Sequence, residues 1–208
     1  MSFASESVQK FLDQLASAEP VPGGGTVAAL SGSLGASLVA MVCRLTIDKK
    51  GYEAVSDEMQ TILVRAEKLQ NELRDLMQAD TDAYARVMSA YKLPKNTDAE
   101  KIARTNTIQD ALKHAADVPL QVAERCAQVL ELARPVAEKG NKNTASDAGV
   151  SALMAEAGLR GAVFNVQINL GSIQDAAFAQ DRRARTEQLV ADAEQRKRDI
   201  LATVEGRF

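Results

Sequence analysis

A chain of 208 residues suits one domain, and a net charge of −3 is too small to mark a nucleic-acid surface. Aromatics are 4% and Trp is absent, so the core is expected to be aliphatic packing between helices. The single histidine, His114, excludes multi-histidine metal sites and argues against a Ser-His-Asp triad.

The N-terminal residues lack the basic and apolar regions of a signal peptide, and Cys43 and Cys126 form no C-x-x-C. Both features predict a cytoplasmic protein with reduced, buried thiols. Val8, Phe11, Leu12 and Leu15 space as one face of a short first helix, which Pro20 closes. Val21-Pro22-Gly23-Gly24-Gly25-Thr26 follows, and no charged residue occurs between Glu19 and Arg44. This run predicts a central helix over 26–47. Ala28, Gly32, Ala36 and Ala40 recur every four residues, so one face is made of small residues that let a neighbouring backbone approach. Free N–H groups at a helix start attract anions and polar ligand atoms, and glycines there keep the approach clear. A tight turn alone would also explain the glycines. A membrane span would explain the uncharged run, but its Ser, Gly and Ala content suits lipid poorly. No Lys-Ser or Lys-Thr follows the glycines, so this is no P-loop. Lys49 and Lys50 lie past the helix end, where cations suit the dipole; the functional alternative is an anion-binding pair.

A third helix is predicted from Ser56, with the seam Met59-Ile62-Ala66-Leu69-Leu73-Leu76. The next slot is Asp80, followed by Ala83 and Val87. A carboxylate thus takes an inward position, where it needs a partner. It is either functional or a structural group that caps another helix or pairs with a lysine. Asp82 lies about 200° around the helix and is expected to face away. Tyr91 to Asn96 breaks the helix, and Thr97-Asp98-Ala99-Glu100 is a capping box for the next. Pro119 is expected to kink or split that helix, and Pro135 to disturb the one that continues to Gly140. Ser146 and Asp147 read as starting residues of a nearly uncharged helix, in which Gly158, Gly161, Asn165 and Asn169 share a stripe. Buried amides of that kind need partners, from other helices or from a ligand. Ser172 and Asp175 open the last helix, whose arginines read as a solvated face. No strand pattern occurs. The expectation is one all-α domain over 1–208, a bundle of six or seven helices around a buried small-residue helix. Two helices uncharged nearly all round further predict a homodimer.

Five stretches occur in one order: Pro22-Gly23-Gly24-Gly25-Thr26-Val27-Ala28-Ala29, Asp80-Thr81-Asp82-Ala83-Tyr84, Leu93-Pro94-Lys95-Asn96-Thr97, Gly140-Asn141 with Ser146-Asp147, and Phe164-Asn165-Val166 with Ile168-Asn169. The ordered set resembles the cyclodeaminase/cyclohydrolase family of folate enzymes. Thr26 stands where that family usually has Ser, and Asp82 where it commonly has Glu. The resemblance implies an all-helical dimer, a folate substrate with or without a polyglutamate tail, and a catalytic aspartate at Asp80. It implies hydrolysis of methenyltetrahydrofolate, with formiminotetrahydrofolate cyclodeamination and non-catalytic folate binding as alternatives. Candidate substrate-binding residues are Gly23, Gly24, Gly25, Thr26, Lys49, Lys50, Lys95, Asn141, Asp147, Asn165 and Asn169. No metal, cofactor, nucleic acid or membrane is expected to take part.

Overall fold

The computed structural model describes residues 3–207. Six α-helices follow in order: α1 Val8–Leu15, α2 Gly24–Arg44, α3 Ser56–Tyr91, α4 Asp98–Lys139, α5 Ala145–Leu170 and α6 Ala176–Glu205, with three short 3-10 turns and no strand among the described residues. The expected all-α bundle is therefore what forms.

Helix α2 is the centre. It packs on α3, α4 and α5, while α6 closes the far side against α4 and α5. Ala28, Gly32, Ala36 and Ala40 are all buried, so the small-residue face does what its spacing predicts. By length and composition α2 would pass as a membrane span, but 61% of its apolar window is buried inside the bundle. Its closest approach is to α5. A Cβ at Gly158 would lie 2.7 Å from the Ala28 carbonyl oxygen and 3.0 Å from the Gly32 nitrogen. Both obstacles are backbone, so the helices themselves would have to separate. Gly158→Ala is expected to cost about 1–3 kcal/mol by overpacking. A thermal melt checks this, and an unchanged melting temperature would mean the crossing is not tight. Cys43 and Cys126 are free and buried, and burial pushes both thiols up to about 12.

Three expectations need correction. Neither proline breaks α4, which runs 42 residues with Pro119 and Pro135 inside it. A helical proline leaves the carbonyl four residues earlier without its N–H. For Pro119 that is Ala115, whose oxygen instead accepts from the Asn169 side chain at 2.7 Å. For Pro135 it is Glu131, an exposed position that water can reach. Next, α5 begins at Ala145 with Thr144 as its N-cap, and neither Ser146 nor Asp147 caps it. Finally, α2 starts two residues earlier than expected and ends three earlier. The capping box at Thr97 and Glu100 forms as read, and Asp175 caps α6 by accepting from the Phe178 N–H.

Candidate active site

At the N-terminus of α2 the backbone N–H groups of the first turn point out of the helix. The N-cap, Gly23, is extended and has no side chain to bond them. Asp80 of α3 supplies that bond from across the bundle. Its Oδ2 accepts from the Thr26 hydroxyl at 3.2 Å, and the Thr26 backbone N–H also bonds the carboxylate. Thr26 itself is completely buried. Burial is the largest influence on Asp80 and lifts its pKa above the ordinary aspartate value; the two Thr26 bonds pull the other way and lose. The outcome is a carboxylate that holds its proton more readily than a surface aspartate, which suits a group that must both take and give one.

Gly25 makes this geometry possible. A Cβ there would overlap the carboxylate, lying 2.6 Å from Asp80 Cγ. The structural reading of Asp80, a cap on another helix, is thus correct as far as it goes. The carboxylate also opens onto a cleft of about 310 Å³, whose walls include Gly23, Gly24, Gly25, Tyr84, Asn165 and Asn169. Ala83, Val87, Ala115 and Ile168 give it apolar sides. Among the described residues, Asp80 is the only charged group in the lining.

The two asparagines stand one turn apart on α5. Asn165 donates its Nδ2–H to the Gly161 carbonyl at 2.8 Å, and Asn169 donates to Ala115. Asp82 is exposed and accepts from Gln78, away from the cleft, as its place on the helix requires.

One chain does not bring all the candidate residues together. Lys49 and Lys50 follow the C-terminus of α2, roughly 30 Å from its glycine end at 1.5 Å per residue. Asn141 is at that far end too. Its N–H donates to Thr46 Oγ1, its Nδ2 to the Leu45 carbonyl, and its Oδ1 accepts from Asn143. Its side-chain amide is thus engaged within the fold. Asp147 is in the first turn of α5, beside that same end. Lys95 is exposed in the loop 92–97, beyond the cleft end of α3. Tyr84 is a lining residue that the sequence reading does not select. It follows Asp80 by four residues, the spacing that puts two side chains on one helical face.

The family model for formiminotransferase-cyclodeaminase matches residues 7–188. The chain belongs to the formiminotransferase-cyclodeaminase family. It is 48% identical over 203 residues to the methenyltetrahydrofolate cyclohydrolase of Methylorubrum extorquens, covering 98% of both proteins. It is 34% identical to the formimidoyltransferase-cyclodeaminase of Rattus norvegicus over 99% of this chain, but spans only 38% of that longer protein. Among solved structures, the crystal structure of formiminotetrahydrofolate cyclodeaminase from Thermotoga maritima superposes with a TM-score of 0.87 at 34% identity, covering 97% of both chains. Membership of the formiminotransferase-cyclodeaminase family thus rests on sequence and fold together.

Proposed function

We propose that the protein is a methenyltetrahydrofolate cyclohydrolase, converting 5,10-methenyltetrahydrofolate to 10-formyltetrahydrofolate. One observation carries the reading: the sole charge lining the cleft, among the described residues, is a raised-pKa carboxylate. The methenyl bridge is a cationic amidinium whose carbon is electron-poor. A lone anion in an otherwise uncharged cleft attracts it and positions water against it. The full-length 48% identity to a protein of that activity supports the same choice.

The proton movements follow from the chemistry. Asp80 takes a proton as water attacks the bridge carbon, giving a neutral carbinol adduct. The protonated Asp80 then delivers its proton to N5 as the carbon–N5 bond breaks. The hydroxyl proton leaves to solvent, and the formyl group stays on N10. The sum is cation plus water to neutral product plus one proton. No metal or cofactor enters this scheme. Gly23, Gly24 and Gly25 offer backbone N–H groups, and Asn165 and Asn169 offer amides, to the folate ring. Thr26, buried with its hydroxyl and N–H both on Asp80, holds the carboxylate and does not meet the substrate. Lys95, exposed in the loop that follows α3, is the candidate to meet a flexible glutamate tail that leaves the cleft along that helix.

Cyclodeamination of formiminotetrahydrofolate passes through a tetrahedral centre at the same carbon, and the likeness to the Thermotoga maritima structure favours it as a second reading. Loss of the methenyl chromophore in the presence of a chelator, corrected for spontaneous hydrolysis, tests the first. Ammonia released from formiminotetrahydrofolate, without chromophore loss, would transfer the assignment to the second. Failure with both would favour a binding module.

The protein is further proposed to act as a homodimer. Val27 and Leu34 on α2 and Val150, Leu153, Phe164 and Ile168 on α5 form exposed apolar positions, with Phe164 67% and Ile168 76% accessible. Such a face marks an interaction site. Arg44 is the only charged residue of α2, so nothing along the helix repels a second copy. A two-fold axis across the face sets the two α2 helices antiparallel. The lysine end of one then approaches the glycine turn of the other, which is how Lys49, Lys50, Asn141 and Asp147 would come near a cleft. Light scattering is expected to give twice the chain mass for wild type and the chain mass for Leu153→Glu. A monomeric wild type would refute the dimer.

A further inference from the structure

We infer that Pro119, in the middle of α4, is a positioning residue that sets the polarity of the cleft through Asn169. In a regular helix the Ala115 carbonyl would accept from the N–H of residue 119. Proline has none, so that oxygen is vacant within its own helix. Ala115 is also part of the cleft wall. The vacant oxygen accepts Asn169 Nδ2–H at 2.7 Å, across from α5.

The bond decides which way the amide points. A carbonyl can only accept, so the NH₂ end must meet it. The Oδ1 end is left without a hydrogen-bond partner among the described residues. Asn165 is held in the same sense by the Gly161 carbonyl. With the Asp80 carboxylate, the Oδ1 atoms of the two amides therefore present acceptors, while each Nδ2 keeps one further N–H. The matching ligand edge is one of donors, such as the amino and ring N–H groups of an aminopyrimidinone. Asn165 shares a carbonyl that its own helix already uses; Asn169 takes one that a proline has released. Removing the proline is thus a change on a neighbouring helix that acts on the ligand through one side chain.

This rests on the folate reading for its substrate, but the amide lock can be tested apart from it. Pro119→Ala restores an N–H that draws on the same Ala115 oxygen, which must then be shared as Gly161 is for Asn165 and holds Asn169 less firmly. The melting temperature is expected to stay or rise, because proline disfavours a helix interior. The KM for methenyltetrahydrofolate is expected to rise about tenfold, the scale of one lost hydrogen bond, with kcat nearly unchanged. In an Asn169→Ala background the same change is expected to leave KM where it is, which a general packing effect would not do. Nitrogen-15 spectra of the ligand-free protein should show the Asn169 side-chain NH₂ protected from exchange in wild type and released in Pro119→Ala. An unchanged Asn169 signal in Pro119→Ala overturns the inference, as do KM effects that simply add in the double variant. If wild type fails to turn over methenyltetrahydrofolate, the folate reading falls, and the Asn169 signal alone decides the lock.

Discussion

Asp80→Asn is expected to lower turnover of methenyltetrahydrofolate by about 10²–10⁴-fold, the usual span for loss of a general acid–base group. The amide keeps the size and can still accept from Thr26, so the fold is expected to survive. Its effect on stability follows from the sign of the pKa shift. Burial lifts the folded-state pKa of Asp80 above its unfolded value. The folded state therefore holds this proton more tightly, and the resulting stability is present below the unfolded pKa and lost as pH rises through the folded one. Once ionised, the buried carboxylate is a net cost that asparagine lacks. The melting temperature of Asp80→Asn should equal or exceed that of wild type at pH 7, with the gap closing on acidification. Wild-type kcat/KM should show an acidic limb above the ordinary aspartate range, and the variant should lose it. Asp82→Asn, an exposed change, should stay within about twofold of wild type. Unchanged turnover in Asp80→Asn would remove this residue from the chemistry.

Gly25→Ala is expected to cost about 10²-fold in kcat, the penalty for moving a reacting group by around an ångström. The new methyl would overlap the Asp80 carboxylate, and the group cannot stay where it is. Either the side chain swings away from Thr26 or the first turn of α2 shifts. Both remove the carboxylate from its place beside the cleft. The loss should not multiply with that of Asp80→Asn, since both act on one group. Circular dichroism separates this outcome from unfolding. Near-normal kcat in a folded Gly25→Ala protein would mean that the position of the carboxylate is not critical.

Most of the fold is legible in the sequence because helices announce themselves by period. The seam from Met59 to Leu76 turns Asp80 inward by spacing alone, and the small-residue run puts α2 at the centre. What stays hidden is set by contacts between distant segments. Pro119 reads locally as a helix breaker; only the arrival of Asn169 from α5 makes it tolerable. Thr144 takes the N-cap place of α5 because a 3-10 turn over Lys142–Thr144 runs straight into the helix, without a side-chain cap bond, so the better capping residue types at Ser146 and Asp147 point to the wrong start. The site is half legible. Its glycines, Asp80 and the two asparagines stand out in the sequence and do converge. Tyr84 stands in the quoted stretch four residues after Asp80, on the same helical face, yet nothing in that spacing assigns it a role in the cleft. Asn141 and Asp147 belong with the cleft residues only by motif order, Lys49 and Lys50 only as a candidate anion-binding pair, and a helix of 21 residues lies between the two sets.

The uncharged walls around Asp80 make the cleft treat the two ends of the reaction differently. Under the proposed cyclohydrolase function, the bound methenyl compound carries a positive charge that compensates the buried carboxylate. Hydrolysis erases that charge, and the neutral formyl compound leaves Asp80 uncompensated again. The attraction that gathers the substrate is thus extinguished by the chemistry itself, so the product is held less firmly than the molecule it came from. On the proposed function, accumulated product is therefore expected to compete only weakly with substrate for the cleft.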